Sequence, residues 1–109
     1  MAQESKEITS YTLSRMTNFT NIRAVINLYN TNAHFARLEF YPDAVPQKIT
    51  VQDSGGVQII TAHYPIEAFP DIIDILRNEK PVKFVYEKIM GYARVETGKE
   101  PAGEGENAA

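Results

Sequence analysis

Aromatic and basic side chains share one parity along two neighbouring runs of this chain, and their pattern suits the recognition of a polyanion. Arg23, Asn27 and Tyr29 alternate along the first run, and Phe35, Arg37, Glu39 and Tyr41 along the second. Lys48 and Thr50 extend the same side. Rings stack on bases while cations hold phosphates, and neither contact requires a fixed base sequence. The expected ligand is therefore single-stranded nucleic acid, DNA or RNA. Arg23, Arg37 and Lys48 would hold phosphates, and Tyr29, Phe35 and Tyr41 would stack bases. The same aromatics also suit a subunit interface, because Tyr, Phe and Arg are enriched where proteins meet. A dimeric interaction scaffold without nucleic-acid binding is thus the competing expectation.

Other chemistry is poorly supplied. The chain has no Cys, which removes disulfides, thiolate nucleophiles and Cys-based zinc sites. His34 and His63 lie on different runs with no third ligand at a defined spacing, so they read as ordinary satisfied or surface histidines. Gly55-Gly56 lacks the lysine and helix of a phosphate loop, and Ser54 beside it lacks the elbow of a hydrolase nucleophile. Glu67, Asp71 and Asp74 share a helix face, as the solvated side of an amphipathic helix requires. The expectation is a protein that is not an enzyme and needs no cofactor and no metal.

The elements that must position these residues follow from period. Apolar and polar residues alternate through NIRAVINLYN, HFARLEFYP, QKITVQD and GVQIITAHY, the period of strands with one covered face. Ile22, Ala24, Ile26 and Leu28 share the inner side with Ala36, Leu38 and Phe40. Asn30-Thr31-Asn32 and Asp53-Ser54-Gly55-Gly56 are turn sequences. The adjacent Ile59 and Ile60 mark their strand as central. Pro65 to Asn78 reads as one amphipathic helix, with Pro70 marking its true start or a bend. Strands are expected at 11–16 before the first run, and at 82–87 and 92–97 after the helix. The predicted fold is α+β: a twisted antiparallel sheet of about six strands with the helix packed on one face.

Composition sets the outer bounds. With 109 residues, 43% of them hydrophobic and 23% charged, the chain makes one globular domain, expected over 10–97. Residues 1–9 are expected to be a flexible leader, and 98–109 a disordered tail rich in Gly and Glu. No apolar run resembles a signal peptide or approaches a membrane span, so the expected location is cytoplasmic, and Asn18-Phe19-Thr20 is expected to be a chance glycosylation sequon. The net charge of −3 hides an uneven distribution: residues 1–95 carry ten basic and ten acidic side chains. The acids gather on the helix, and Arg15, Arg23, Arg37, Lys48, Lys83, Lys88 and Arg94 fall on strands and turns. An acidic tail would compete with nucleic acid for the basic face. Exposed strand edges and aromatics also imply a homo-oligomer, a dimer first.

The order of four strands and then a helix over Asn21 to Asn78, with these aromatic and basic positions, resembles the Whirly-type single-stranded-DNA-binding transcriptional regulators. That resemblance implies a β-β-β-β-α unit that assembles as an oligomer and binds single strands. The Lys-Gly-Lys-Ala-type segment of the plant members is absent here, and two strands follow the helix.

Overall fold

In a computed structural model, residues 3–16, 21–42 and 49–97 are described. They form eight strands and one helix: β1 Glu4–Glu7, β2 Ser10–Arg15, β3 Ala24–Asn30, β4 Ala33–Tyr41, β5 Thr50–Ser54, β6 Val57–Pro65, α1 Phe69–Asn78, β7 Val82–Glu87 and β8 Tyr92–Thr97. The α+β class holds, but the strands make two sheets rather than one of about six. The larger has the order β2-β3-β4-β6-β5, and the smaller β1-β7-β8. The physical reason lies in how much apolar surface the larger sheet must cover. Its inner face carries Ala24, Ile26, Leu28, Ala36, Leu38, Phe40, Ile60 and Ala62, all buried. A helix of ten residues offers it Ile72 as its one buried residue, with Phe69, Ile73 and Leu76 packed partly against the core. The smaller sheet supplies the remaining cover through Phe84, Tyr86, Ala93 and Val95.

Two further expectations are corrected. Within residues 1–9, Glu4–Glu7 is a strand, paired antiparallel with β7 from Glu4↔Tyr86 to Glu7↔Lys83. It escapes a hydrophobic-period reading because it is a polar edge strand, exposed along its whole length. The larger sheet is also not wholly antiparallel, since β4 and β6 run parallel in the register Ala36↔Ile60 to Tyr41↔Pro65. After β4 the chain takes the far edge as β5 and turns back at Gly55-Gly56. β6 then fills the gap, antiparallel to β5 and parallel to β4. Both glycines have positive φ, 59° and 84°, as a two-residue hairpin loop with the twist of its strands requires.

The β3–β4 hairpin turns through Thr31 and Asn32 at φ 48° and 70°. A threonine in the left-handed region is uncommon, and here a strap holds it. The Thr31 N–H donates to Thr9 Oγ1 at 2.7 Å, and Asn30 Nδ2 donates to the Glu7 carbonyl at 2.9 Å. The segment that carries the chain from the small sheet to the large one therefore clamps the turn that starts β4. Just past that turn the pairing slips: Leu28 faces Ala36 but Tyr29 faces His34, leaving Phe35 as the extra residue of a bulge.

The helix begins at Phe69 after a short 3-10 turn, Ile66–Ala68, so Pro70 lies in its first turn, where its missing N–H costs nothing. Asp71 in that turn and Arg77 in the last one both suit the helix dipole. No helix among the described residues is long and apolar enough to cross a membrane.

Candidate functional site

The outward side of the larger sheet can be read row by row from its register. One row runs Thr12, Asn27, Arg37, Thr61, Thr50, and the next runs Ser14, Val25, Glu39, His63. Tyr29, paired with Ser10 and His34, lies at one end, and Tyr41 and Arg23 lie at the other. Arg23 and Tyr29 are six residue steps apart, about 20 Å in extended chain. The face is less open than its alternation implies: Val25 is only 2% exposed. Among its larger polar side chains Arg23 and Gln52 are exposed, and Arg37 is partly covered.

At the Arg23 end four side chains converge. Arg37 Nε donates to Glu39 Oε2 at 2.8 Å, and the Tyr41 hydroxyl donates to Glu39 Oε1 at 2.8 Å. His63 Nε2 stands 3.5 Å from Glu39 Oε1, and its ring meets the Tyr41 ring edge-on at 5.7 Å. Strand spacing alone predicts the first two contacts, because Arg37, Glu39 and Tyr41 are two residues apart on one face. The place of His63 depends on the parallel β4–β6 pairing, which periodicity does not reveal. The Glu39 carboxylate, only 13% exposed, is thus met by a cation and a phenol. Burial pushes the Tyr41 phenol up to about 12, helped by its hydrogen bond to Glu39 and that carboxylate's charge, against a smaller opposing effect of Arg37.

Of the residues singled out as ligands, the structure brings Arg23, Arg37 and Tyr41 to one end of the face. Tyr29 stands at the other end, its ring 5.2 Å from that of His34. Phe35 is not on the face. The bulge turns it inward, where it is 6% exposed, its ring 6.1 Å from Phe84 of the small sheet and Lys6 Nζ 5.5 Å from the ring centroid. Lys48 lies outside the described residues, as do Asn18 and the 98–109 tail. His34 is half-buried rather than exposed, and its Nε2 has no hydrogen-bond partner among the described residues. No group of three His, Cys, Asp or Glu side chains that could hold a metal ion occurs among the described residues.

Two features escape a reading of the sequence. Glu87, 4% exposed, accepts hydrogen bonds from the Ile89 and Met90 N–H groups at 3.0 and 2.7 Å, fixing the β7–β8 turn. A buried carboxylate at the end of a strand leaves no signal in periodicity. A groove of about 550 Å³ also lies away from the sheet face, between Ile8, Thr9 and Tyr11 on one side and Leu76, Arg77 and Pro81 on the other.

Tyr64, on the inner side, gives a pH test of the packing. Its ring stacks on Phe40 at 5.6 Å, its hydroxyl has no partner among the described residues, and burial pushes its ionisation up to about 12. The folded state therefore keeps a proton that the unfolded chain loses near pH 10. The resulting stability is complete below pH 10 and disappears as pH rises to about 12. At about 1.4 kcal/mol per pH unit, the loss attributable to Tyr64 is on the order of 2–3 kcal/mol. Urea unfolding across that range should show this fall in the wild type and a clearly smaller one in Tyr64→Phe. Equal falls in both would mean that Tyr64 ionises freely in the folded state.

Compared with known protein families, characterised proteins and solved structures, the chain has no match.

Proposed function

We propose that the outward face of the larger sheet binds single-stranded nucleic acid, without catalysis and with little sequence preference. The observation that carries this reading is the chemistry of the face. Among its described residues it offers two arginines, two tyrosines, two histidines and a set of Ser, Thr, Asn and Gln side chains. Glu39 is its one carboxylate, and that group is already met by Arg37 and Tyr41. The exposed acids Glu67, Asp71 and Asp74 belong to the helix, on the other side of the sheet. Phosphates would meet Arg23 and Arg37, and bases would stack on Tyr41 with His63 beside it. Tyr29 and the Ser/Thr rows would extend the track. A polar face of this kind gives a dry subunit contact little to bury, which favours a hydrated, charged ligand over the scaffold reading. The resemblance to Whirly-type regulators points the same way.

Fluorescence anisotropy with labelled single-stranded DNA and RNA, across a salt series, tests the proposal. The double variant Arg23→Gln/Arg37→Gln should bind at least about tenfold more weakly, with a salt slope shallower by about one to two. Wild-type protein that fails to bind at low salt, or a folded double variant with unchanged affinity and slope, overturns it. The interaction scaffold then becomes the working function. Tighter binding by a chain ending at Thr97 would identify the acidic tail as a competitor.

A further inference from the structure

Among the described residues, four strands leave one side unpaired: β2 and β5 in the larger sheet, β1 and β8 in the smaller. Charges and covering segments on such edges are what keep a strand from pairing with another chain. Three of the four are guarded in this way. β1 reads Glu-Ser-Lys-Glu. β8 carries the Arg94–Glu96 ion pair at 2.7 Å. β5 contains Asp53, and just before it the Ile49 N–H donates to the Gly91 carbonyl at 3.0 Å, tying that end to the β7–β8 turn.

β2 is the exception. Its sequence, Ser-Tyr-Thr-Leu-Ser-Arg, has no proline, no carboxylate and a single charge at its end, and every residue except Tyr11 is exposed. Leu13 occupies the cross-strand row Leu13, Ile26, Leu38, Ala62, whose other members are buried core, yet it is 47% exposed. The larger sheet thus overhangs its cover at this edge. Backbone parity agrees with an edge ready to pair. The Met16 N–H donates to the Arg23 carbonyl at 2.9 Å. In an antiparallel pair alternate residues face the neighbour, so Ser10, Thr12 and Ser14 turn their backbone groups to β3. Those of Tyr11, Leu13 and Arg15 point away from the sheet.

We propose that β2 pairs antiparallel with β2 of a second copy of this chain, about a two-fold axis at Leu13, joining two five-stranded sheets into one of ten. In that register Leu13 faces its own copy, and the Tyr11 ring faces the Arg15 guanidinium, both on the inner side. Thr12 faces Ser14 on the outer side. The outward-pointing backbone groups of Tyr11, Leu13 and Arg15 then bond to one another across the axis. Neighbouring registers are poorer. An axis at Arg15 sets two guanidinium groups opposite each other, which is destabilising. An axis at Tyr11 sets Leu13 against Thr9, whose N–H and hydroxyl are already bonded to the Tyr29 carbonyl. The pairing does not depend on nucleic acid. It places two copies of the outward face side by side on one continuous surface.

Sedimentation velocity and a cysteine scan test it in the full chain. The wild type should sediment with twice the 12.3 kDa mass of one chain. Leu13→Asp, which sets two carboxylates across the axis, should give a folded monomer by sedimentation and circular dichroism. The chain has no Cys, so a single introduced thiol reports its own neighbour. The Cα atoms of a facing, hydrogen-bonded antiparallel pair lie about 5.5 Å apart, within disulfide reach. Leu13→Cys should therefore oxidise to a covalent dimer, while Val51→Cys, at a comparably exposed position (41%) on the opposite edge, should not. A monomeric wild type, a Leu13→Asp variant that stays dimeric, or cross-linking no faster at Leu13→Cys than at Val51→Cys each overturns the proposal.

Discussion

Phe84→Ala is expected to cost about 3–5 kcal/mol of folding free energy, the range for removing a large aromatic side chain from a packed core. Phe84 is fully buried in β7, with its ring 6.1 Å from Phe35 and 5.5 Å from Tyr86. Phe35 belongs to the larger sheet and Tyr86 to the smaller, so this ring joins the two layers. Small domains hold only about 5–15 kcal/mol in total, and the variant should therefore unfold at markedly lower urea concentration. Phe84→Leu, which keeps most of the volume, should lose clearly less. Urea titration followed by far-UV circular dichroism decides the matter. A loss below about 1 kcal/mol for Phe84→Ala would mean that the sheets do not share one core.

The local part of this architecture is legible in the sequence, and the long-range part is not. Alternation places Ala24, Ile26, Leu28, Ala36, Leu38 and Phe40 on the inner face, and all six are buried. Turn chemistry marks both hairpins, because left-handed backbone at residues 31–32 and 55–56 favours Asn and Gly. A two-residue period assumes an unbroken ladder, however, and one extra residue defeats it. The bulge at Phe35 makes Phe35 and Ala36 both core residues, and it takes an expected stacking ring away from the outward face. Which strand lies beside β4 is equally invisible, since β5 and β6 form the same hairpin in either arrangement. The convergence of His63 on Glu39 follows from that choice alone. β1 has no apolar residue to announce it and exists because β7 offers an edge.

Glu39→Gln is expected to strengthen binding of single-stranded oligonucleotide by about tenfold or more and to steepen its salt dependence by about one unit. In the free protein Glu39 holds Arg37 Nε at 2.8 Å, so a phosphate must compete with a carboxylate for that guanidinium. Glutamine keeps the shape and removes the charge. Arg37 is then free to turn toward a ligand, where a charge-assisted hydrogen bond contributes about 1.5–3 kcal/mol. The cluster should survive the change, because the amide oxygen can still accept from the Tyr41 hydroxyl. Tyr41 itself reports that outcome: part of its rise to about 12 comes from Glu39, so its ionisation should begin at lower pH in the variant, as read by ultraviolet absorbance. Adding Arg37→Gln to Glu39→Gln should return affinity to the wild-type level or below. Unchanged affinity in Glu39→Gln would show that Arg37 does not touch phosphate. Weaker affinity would show that the carboxylate aims Arg37 at the ligand instead of competing for it. Only the unchanged result would move the phosphate contact to Arg23, the exposed cation at this end of the sheet, and leave Glu39, Tyr41 and His63 as the structural close of β4 and β6.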